Sequence, residues 1–504
     1  MLIIVIIIGI IALVLIGNKT KEFLHIVQLE GYNSEQYKKW IKNNKSKILS
    51  FRKDKQEVKK PLVFTERAKR LFMTSMILNG IYIIILLFKA FNFLEYSTPY
   101  IFLSMVILVF LFWVLYYAQP IIVLWANIIM TPIENRINQG FYEQAQEKIK
   151  SMQNLNVVGI TGSFGKTSTK FIVGTILGER FKVINTPESY NTPMGLSKVI
   201  NNQLNNRHDV FIAELGARNI GDIKEVSELV NPKIGVITSI GPTHIETFKN
   251  IDNIMKTKYE LIEELPTDGI AIFNYDNEYI KKLADKTFKE KILYGVEDIE
   301  NLDLYAEDVE VSEFGSTFTV KDKEGNSIRC TTKLLGKHNI YNILAGVAVA
   351  KALGLSFDEI KKGIEKIEPI PHRLNIINPG TGIIIIDDAF NSNPIGARAA
   401  LEVLSQFKDG RKIIVTPGMV ELGAMENEAN RKFGTNIGKV CDYVILVGEK
   451  RTKPIYDGLM EVNYNKDNIF IVNTLDEATA KIQKLAKPKD IVLFENDLPD
   501  NYSE

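Results

Sequence analysis

Residues 157–170, with the sequence VVGITGSFGKTSTK, have the residue types and spacing that can bind phosphate. Apolar residues at each end predict a strand followed by a helix, and the glycines between them predict a tight turn. Such a turn directs backbone N–H groups and the helix dipole at one point, which attracts an anion. Lys166 adds a positive charge for β- and γ-phosphates, and the Thr167 hydroxyl can ligate Mg²⁺. The turn therefore predicts a nucleotide-phosphate site, although Ile160 replaces the first glycine of the full Walker A pattern.

Two predicted strands after this turn end next to side chains that can hold a metal ion. Residues 210–213 lead to Glu214, and residues 234–238 lead through a Gly-Pro-Thr turn to His244. Ligands of open parallel sheets lie beyond the carboxyl ends of the strands. Glu214 and His244 are therefore placed to hold Mg²⁺ beside the phosphates, although an acidic residue after a strand is often only a helix cap.

A lysine and an amide follow in the same section. Lys258 lies near the start of an amphipathic helix, and Asn274 follows a strand predicted over residues 270–273. The side chains of residues 274–277 come after that strand and can contact adenine or ribose. This section is therefore expected to complete the nucleotide site.

The elements that must position these groups alternate between strand and helix, which predicts an α/β fold with parallel sheets. Short alternating strands follow over residues 303–332, and GKHNIYN at residues 336–342 opens a helix rich in small residues. Pro369, Pro371 and Arg373 mark a linker, beyond which helical stretches separate apolar strands and predict a second doubly wound α/β domain. The predicted strands of this second domain are 383–386, 413–415, 443–447, 469–472 and 491–494.

The composition limits the function. The chain has 504 residues, enough for two or three domains plus further segments. Its net charge of +1 predicts no nucleic-acid partner. Cys330 and Cys441 lie far apart, which fits a reducing compartment and excludes a disulfide framework. Five histidines are too few for a His-rich metal cluster.

Three charge-free apolar segments predict transmembrane helices over about residues 2–17, 71–88 and 99–119. The first segment has neither the basic start nor the cleavage site of a secretory signal, so it is expected to stay in the protein. Pro120 is expected to bend or end the third helix. Residues 121–130 are too short to span alone and form either an interfacial helix or a continuation of the third span. A buried core helix is the alternative for each segment.

Lysines and arginines set the predicted orientation. Residues 18–70 hold 15 Lys and Arg against 6 Asp and Glu. The positive-inside rule places this basic loop in the cytoplasm, where it lies on anionic lipid or in solvent. The N-terminus is then outside, which predicts a multi-pass protein of the inner (cytoplasmic) membrane with cytoplasmic catalytic domains. The predicted organisation is a membrane region over 1–130, a linker over 131–153, an ATP-binding central domain over 154–370 and a C-terminal domain over 371–504.

These motifs together resemble the Mur ligase family, the ATP-dependent amide ligases of cell-wall synthesis. TGSFGKTST, AELGAR, SIGPTHIETF, the second lysine of KTKYE, NYDN and GKHNIYN are similar to motifs of its central domain. IDDAFNSNP and MVELGAMENE are similar to the branch that adds D-alanyl-D-alanine. The resemblance covers residues 154–495 in order and spacing. It implies a P-loop central domain followed by a doubly wound α/β domain.

The resemblance also implies roles for individual residues. The catalytic residues would be Lys166, Glu214, His244, Lys258 and Arg373. ATP would contact Gly162, Ser163, Gly165, Lys166, Thr167, Ser168, Asn274, Asn339, Asn342, Arg373 and Asp388. Mg²⁺ would be held by Thr167, Glu214, His244 and Lys258, the last of these as a carbamate. The substrates would contact Asn191, Thr192, Asn391 and Asn393.

Two of these residues have simpler alternatives. An exposed helix lysine is the alternative for Lys258, and it would leave a positive charge where a carbamate would bring a negative one. A helix cap or a turn is the alternative for Asp388. The first alternative predicts a Lys258 side chain exposed to solvent, and the second predicts an Asp388 side chain bonded to backbone N–H groups.

The chain departs from the family in two places. Membrane helices and a basic loop stand where the similar branch has an N-terminal UDP-sugar-binding domain. Residues 494–500, FENDLPD, stand where those relatives have a K-G-S segment that contacts the amino substrate. The sequence therefore leaves the identities of the acceptor and of the amine substrate undecided.

The leading hypothesis is a membrane-anchored, ADP-forming amide ligase that works through an acyl phosphate. It would add an amino acid or D-alanyl-D-alanine to the carboxylate of a cell-wall or other envelope precursor. The membrane anchor indicates either a lipid-linked acceptor at the inner leaflet or a simple tether. The alternatives are a poly-amino-acid synthetase, such as one that makes polyglutamate, and a non-catalytic nucleotide-binding membrane scaffold.

Overall fold

The computed structural model describes residues 2–45, 48, 61–93, 98–187, 190–390 and 392–496. The chain divides into two compact units, an N-terminal unit from Met1 to Gly140 and a main unit from Phe141 to Leu498. The N-terminal unit is helical, and the main unit contains both sheets of the molecule's described part.

The N-terminal unit consists of helices, most of them strongly apolar in sequence. They are α1 (Leu2–Leu29), α2 (Ser34–Asn43), α3 (Glu66–Phe93), α4 (Thr98–Tyr117) and the first part of α5 (Gln119–Ser151). Buried side chains of α1, α3 and α4 form a shared apolar core that includes Ile16, Ile83 and Phe112. Within the described residues, Glu66–Leu86 is long and apolar enough to cross a membrane, and Val109–Tyr117 with Gln119–Ser151 qualifies as a bent pair.

Two predicted connecting segments are partly helical. The basic loop predicted over 18–70 contains the end of α1, all of α2 and the start of α3. Helix α2 forms because the Asn33 side chain accepts hydrogen bonds from the first free N–H groups of that helix. The linker predicted over 131–153 lies in α5 as far as Ser151, because Pro132 removes only one hydrogen bond from a long helix.

A sharp bend separates α4 from α5. The two helix axes differ by 60° across the break. Pro120 lies in the first turn of α5, where a missing N–H leaves no hydrogen bond unmade, so the predicted bend occurs there. Buried Gln119 exchanges hydrogen bonds with Asn79 and accepts one from Thr20 at 2.8 Å, which holds the break against α1 and α3.

The first sheet of the main unit has strands in the order β2-β3-β1-β4-β5-β6-β7-β8-β9 within the described residues. The strands β1 to β7 pair in parallel, and β8 and β9 add an antiparallel edge. Their bounds are β1 Asn156–Thr161, β2 Val183–Asn185, β3 Val210–Glu214, β4 Ile234–Ile237, β5 Ile270–Asn274, β6 Lys291–Gly295, β7 Leu304–Ser312, β8 Gly315–Asp322 and β9 Ser327–Thr332. The antiparallel edge occupies the predicted stretch of alternating strands. This sheet and its helices form the central domain.

Helices cover both faces of this sheet. Adjacent residues of β1 point to opposite faces, so that Val158 joins one apolar core and Val157 joins the other. The helices are α6 Lys166–Leu177, α7 Pro193–Asn202, α8 Asp222–Val230, α9 Ile245–Phe248, α10 Ile251–Glu263, α11 Glu278–Asp285, α12 Lys337–Ala352 and α13 Phe357–Glu365. A parallel sheet buried on both faces is the predicted doubly wound arrangement.

The second sheet forms the C-terminal domain, with strands in the order β10-β11-β15-β12-β13-β14 among the described residues. Its strands are β10 Asn375–Ile377, β11 Ile384–Asp388, β12 Lys412–Thr416, β13 Tyr443–Val447, β14 Ile469–Val472 and β15 Ile491–Glu495, with helices α14 Pro394–Gln406, α15 Glu426–Val440, α16 Glu449–Glu461 and α17 Leu475–Leu485. Five strands are parallel, as predicted, and the short β10 pairs antiparallel with β11. The α/β fold class with two doubly wound domains is confirmed.

Candidate active site

The phosphate turn lies between β1 and α6, as the sequence predicts. Gly162 has φ +153° and Gly165 has φ +79°, conformations that favour glycine. A Cβ atom would lie 2.2 Å from Thr238 Oγ1 at Gly162 and 2.7 Å from Asn342 Oδ1 at Gly165, so no side chain fits at either position. Half-buried Lys166 folds back and donates a hydrogen bond from Nζ to the Gly162 carbonyl at 2.8 Å.

Glu214 ends β3 directly beside the start of α6. Its carboxylate is 1% exposed and accepts hydrogen bonds from Thr167 Oγ1 at 3.0 Å, Lys170 Nζ at 3.1 Å and Asn191 Nδ2 at 3.0 Å. Burial by itself raises the pKa of Glu214, but Lys170, Lys166 and the Asn191 hydrogen bond outweigh it and hold the pKa below its usual value. The carboxylate is therefore an anion at neutral pH.

Lys170 is a site residue that sequence reasoning missed. It follows Lys166 by one helical turn, and its side chain is fully buried. The ammonium group forms an ion pair with Glu214 at 3.1 Å. A lysine inside the otherwise apolar stretch after Ser168 was the available signal, because a cation on that face of α6 needs a buried partner.

Lys258 is buried, so the alternative of an exposed helix lysine is wrong. Its side chain on α10 is 3% exposed, whereas Lys256 two residues earlier is exposed. Burial lowers the pKa of Lys258 to about 7, and repulsion from Lys166 adds to this effect. Desolvation also lowers the pKa of Lys166. Two lysines with lowered pKa values, Lys166 and Lys258, therefore lie in one part of the site.

His244 meets a carboxylate from the C-terminal domain. Its Nδ1 atom lies 2.9 Å from Oε2 of Glu421, in the loop between β12 and α15. This hydrogen bond is the main cause that lowers the pKa of Glu421. In the sequence, Glu421 belongs to the MVELGAMENE motif, in which no residue has a predicted role at the site.

The predicted nucleotide asparagines have different surroundings. Asn274 donates from Nδ2 to the Thr238 carbonyl at 3.1 Å, whereas its buried Oδ1 has no partner among the described residues. Asn342 donates to Asn339 Oδ1 at 3.0 Å and accepts from Thr169 Oγ1 at 3.1 Å. Asn339 and Asn342 thus tie α12 to the phosphate-turn helix, and nucleotide contact by the three asparagines stays a prediction.

Arg373 brings the C-terminal domain to the phosphate turn. Its guanidinium stacks on the ring of Phe390, with 4.0 Å between the guanidinium carbon and the ring centroid. It is close enough to Lys166 and Glu214 for charge to act between them. Ile395 of the same domain and Phe164 of the turn both lie beside Gly241. The two domains therefore meet beside the phosphate turn.

Asp388 and Glu495 lie on neighbouring strands of the C-terminal domain. They are paired in register at the carboxyl ends of β11 and β15. Asp388 accepts a hydrogen bond from the Leu374 N–H at 3.2 Å, the turn contact that its simpler alternative predicts. Burial raises the pKa of Asp388 to about 6 and that of Glu495 to about 7. The Glu495 carboxylate accepts hydrogen bonds from the hydroxyls of Ser392 and Thr416.

The predicted substrate residues are held by local contacts. Asn191 donates to Glu214, and the Thr192 hydroxyl caps α7. The Asn393 side chain caps α14 through the N–H groups of residues 395 and 396. Asn391 lies outside the described residues. Substrate contact by these residues stays a prediction.

The residues present fit Mg²⁺ and a nucleotide. In the ranges that the structure describes, no three His, Cys, Asp or Glu side chains group as metal ligands. Mg²⁺ needs fewer protein ligands, because one or two carboxylates plus substrate phosphates are its usual set. The Glu214 carboxylate and the Thr167 hydroxyl, 3.0 Å apart at a phosphate turn, meet that requirement.

These features define a class of protein. A phosphate turn beside a buried carboxylate, with an arginine contributed by a second α/β domain, is the site of a nucleotide-dependent phosphoryl-transfer enzyme. The profile of the Mur ligase middle domain matches residues 160–350, and that of the Mur ligase glutamate ligase domain matches residues 372–495. The chain belongs to the Mur ligase family, and it is an ATP-dependent, ADP-forming carboxylate–amine ligase.

Several relatives carry the name UDP-N-acetylmuramoyl-tripeptide–D-alanyl-D-alanine ligase, among them those from Bacillus subtilis and Escherichia coli. The one from Bacillus subtilis is 29% identical over 380 residues, 74% of this chain and 81% of the relative. The one from Escherichia coli is 32% identical over 273 residues, which are 54% of this chain and 60% of the relative. The chain thus spans less than two thirds of the length of the second relative.

Solved structures agree with these relatives. MurF from Acinetobacter baumannii has a TM-score of 0.65 at 26% identity and covers 72% of this chain and 78% of its own. MurF from Thermotoga maritima in complex with ADP has a TM-score of 0.63 at 24% identity, over 71% of this chain and 80% of its own. The second similarity shows the fold alone.

Proposed function

We propose that this ligase activates the carboxylate of an envelope precursor as an acyl phosphate and joins it to an amine at the inner face of a membrane. The observation that carries the proposal is the position of Arg373. This side chain of the C-terminal domain lies within electrostatic reach of Lys166 and Glu214 at the phosphate turn. A cleft with cations from both domains suits a γ-phosphoryl group in transfer.

The proposed chemistry has two steps. A carboxylate oxygen of the acceptor bonds to the γ-phosphorus, and the bond from that phosphorus to the bridging oxygen breaks, which releases ADP. The amine nitrogen then attacks the acyl carbon, phosphate leaves with the electron pair of the carbon–oxygen bond, and the nitrogen loses a proton. Lys166 and Arg373 offset negative charge in the first step, and closure of the C-terminal domain over the substrates would keep water from the acyl phosphate.

A divalent cation fits this proposal. Mg²⁺ held by Thr167 and Glu214 would offset phosphate charge. His244 and Lys258 are the other two residues of the predicted metal-binding set. Within the chain itself, Glu214 is already placed against the Thr167 hydroxyl. The proposal therefore needs no large rearrangement of these two residues.

Carbamylation of Lys258 is also part of the proposal. Only a neutral amine reacts with carbon dioxide, and burial brings the pKa of Lys258 to about 7, so much of it is neutral at physiological pH. The Glu214 carboxylate interacts electrostatically with Lys166, Lys170 and Lys258, and Lys258 also interacts with the carboxylates of Asp222 and Glu260. A carbamate at Lys258 would replace one of these positive charges with a negative one.

A pair of variants tests the carbamate. Lys258→Ala should lower ADP formation by about 100-fold and regain part of it with added acetate, which supplies the missing carboxylate. Exposed Lys256→Ala is the matched control on the same helix and should keep full activity. Full activity of Lys258→Ala without acetate would refute the carbamate.

The substrates are proposed from the relatives' names. Those names indicate a UDP-N-acetylmuramoyl-tripeptide acceptor and D-alanyl-D-alanine as the amine. For this chain we propose an amino acid or D-alanyl-D-alanine as the amine and an envelope carboxylate as the acceptor, either lipid-linked or soluble. A poly-amino-acid synthetase is the alternative, and the mass of the product separates one addition from many.

Exposed apolar side chains support attachment to a membrane. They cover the outer faces of α1, α3 and α4, where a soluble protein of this size would rarely expose so much apolar surface. They include Ile7, Ile10, Ile11, Val14, Leu15, Met73, Ile77, Ile81, Ile84, Ile85, Phe88, Val106, Ile107, Val109, Phe110 and Trp113. A lipid bilayer is the occupant that such a surface fits. Three spans with the N-terminus outside would leave the ligase domains in the cytoplasm.

The start of α5 fits an interfacial helix better than a continued span. After the 60° bend, its exposed apolar residues recur at Ile121, Trp125, Ile128 and Ile133 on one face. The opposite face is buried and includes Asn127 and Glu134, and Glu134 binds Arg70 through two hydrogen bonds at 2.6 and 2.9 Å. A helix with one apolar face and a tryptophan suits the membrane surface.

Membrane attachment has a direct test. Full-length protein in isolated membranes should remain in the pellet after alkaline carbonate washing, because that treatment releases peripheral proteins only. Release into the supernatant would contradict the proposed spans.

The ligase reaction is tested by ADP release from full-length protein in detergent with Mg²⁺. Lipid-linked and UDP-linked envelope acids are each combined with D-alanyl-D-alanine or with single amino acids. The proposal expects ADP release that requires both an acid and an amine. ADP release that does not require the amine would contradict the proposed ligase reaction. Equal activity on soluble and lipid-linked acids would remove the support for a lipid-linked acceptor.

A further inference from the structure

The contact between His244 and Glu421 joins the two domains of the main unit at a predicted metal ligand. His244 follows β4 of the central domain, and Glu421 follows β12 of the C-terminal domain. Nδ1 of the histidine and Oε2 of the glutamate are 2.9 Å apart. Both side chains are about one third exposed, so each lies at the wall of the cleft rather than in a core.

Both residues are held in an unusual backbone conformation. His244 has φ +50° and Glu421 has φ +63°, the left-handed region that non-glycine residues rarely adopt. Such conformations persist only where the surrounding structure imposes them, and they cluster at functional sites. Each domain therefore holds its own residue of this contact in a backbone conformation that the surrounding structure must impose.

Each domain fixes its own partner firmly. The His244 carbonyl accepts hydrogen bonds from the N–H groups of Thr247 and Phe248, both at 3.0 Å. On the other side, Met419 exchanges two hydrogen bonds with the side chain of Asn430, each 2.9 Å long. Met419 is buried, so the loop that presents Glu421 is anchored in its domain core.

The contact leaves one ring nitrogen of His244 for a ligand. An imidazole that donates its Nδ1 proton to a carboxylate carries its lone pair on Nε2. A histidine that binds a metal usually donates its other ring N–H to a carboxylate or carbonyl, which fixes the ring and its tautomer. Here that carboxylate comes from the other domain.

We propose that Glu421 is a positioning residue that orients His244 for metal binding, so that the C-terminal domain completes the metal site of the central domain. The inference rests on the proposed metal role of His244. It goes further because it makes metal affinity depend on a residue of the domain that carries Arg373. Nucleotide, metal and the arrangement of the domains are then coupled through one hydrogen bond.

The test measures binding of Mn²⁺ to full-length protein in detergent with ADP, with free Mn²⁺ counted by electron paramagnetic resonance. Glu421→Ala should weaken Mn²⁺ binding by about 10- to 100-fold, the usual effect of losing such a partner. Glu421→Gln should bind Mn²⁺ nearly as well as the natural protein, because its amide oxygen can accept the same hydrogen bond. Glu421→Asp, which is one methylene too short, is the second variant expected to lose affinity.

Two further variants interpret the result. Glu402→Ala removes an exposed carboxylate of the same domain, whose partner Arg398 is 3.4 Å away, and should leave Mn²⁺ binding unchanged. His244→Ala should weaken binding as much as Glu421→Ala. If His244→Ala has no effect, the proposed metal role itself fails.

Either of two results would overturn the positioning role of Glu421 and leave the metal role of His244 intact. One is a loss in His244→Ala with none in Glu421→Ala and Glu421→Asp. The other is an equal loss in Glu421→Gln and Glu421→Ala, because that result would mean an ion pair between the domains rather than an oriented neutral imidazole.

Discussion

The two sheets of the main unit present opposite charges at corresponding edges. Around the carboxyl ends of β1 and β3, the central domain places Lys166, Lys170 and Lys258 near the Glu214 carboxylate. At the carboxyl ends of β11 and β15, the C-terminal domain has Asp388 and Glu495 side by side. The same kind of fold thus offers one cationic and one acidic edge.

Burial acts on the two edges with opposite sign. It lowers the pKa of Lys258 to about 7 and raises the pKa values of Asp388 and Glu495 to about 6 and about 7. Lysine and carboxyl groups, whose pKa values in water differ by several units, therefore titrate in the same narrow range near neutral pH. The cationic edge suits phosphates, and the acidic edge suits a partner with N–H groups, such as an incoming amine.

The largest expected effect comes from the cationic edge. Lys166→Met should lower ADP formation by about 1,000-fold or more, because it removes a positioned charge from the transferred phosphoryl group. The coupled ADP assay measures this loss. Exposed Lys182→Met is the control and should keep full activity. Ligase activity that survives in Lys166→Met would break the assignment of the phosphate turn.

A second variant tests what holds the cationic edge together. Lys170→Met should destabilise the main unit by about 3–5 kcal/mol, because the buried Glu214 carboxylate loses its ion-pair partner. Urea unfolding followed by far-ultraviolet circular dichroism measures the change. Lys333→Met is the control, since its pair with Glu368 is exposed on both sides and should contribute less than about 1 kcal/mol. Equal effects in the two variants would contradict a special role for the Lys170 pair.

The acidic edge should give the smallest effect, and it depends on pH. Glu495 has its folded pKa raised from 4.5 to about 7, so its contribution to stability is full below pH 4.5 and is lost as the pH rises to 7. Glu495→Gln removes this dependence. Relative to the natural protein, the variant should therefore gain on the order of 3 kcal/mol between those pH values.

Urea unfolding at several pH values measures the effect at the acidic edge. Exposed Glu402→Gln is the control, and its stability should follow the natural protein at every pH. A constant difference between Glu495→Gln and the natural protein would mean that this carboxyl group does not titrate near neutral pH.

The sequence could predict the cationic edge better than the acidic one. The phosphate turn is a local feature, since a strand, a glycine turn and a helix follow one another within a few residues, and Glu214 is recognisable because it directly ends its own apolar strand. Lys170 could not be assigned, because its partner lies 44 residues away and is set by how β3 packs beside α6. Glu421 and His244 come from different domains, so their contact depends on tertiary structure alone.

The sequence also failed to predict one short strand and one polar helix. Strand β10 has three residues and an irregular surrounding sequence, so periodicity could not identify it. The helix over residues 131–151 carries alternating charged and polar residues that also suit a linker. The five longer strands of the C-terminal domain were predictable because each is an apolar run between helices.

Transfer of an oxygen atom tests the central claim most directly. The envelope acid that supports ADP release is prepared with a heavy isotope of oxygen in its carboxylate, and the full-length ligase joins it to the amine. Activation as an acyl phosphate predicts that the inorganic phosphate released carries one heavy oxygen for each amide formed, as mass spectrometry would show. Phosphate without the heavy isotope would contradict an acyl phosphate and, with it, the proposed use of the cationic edge.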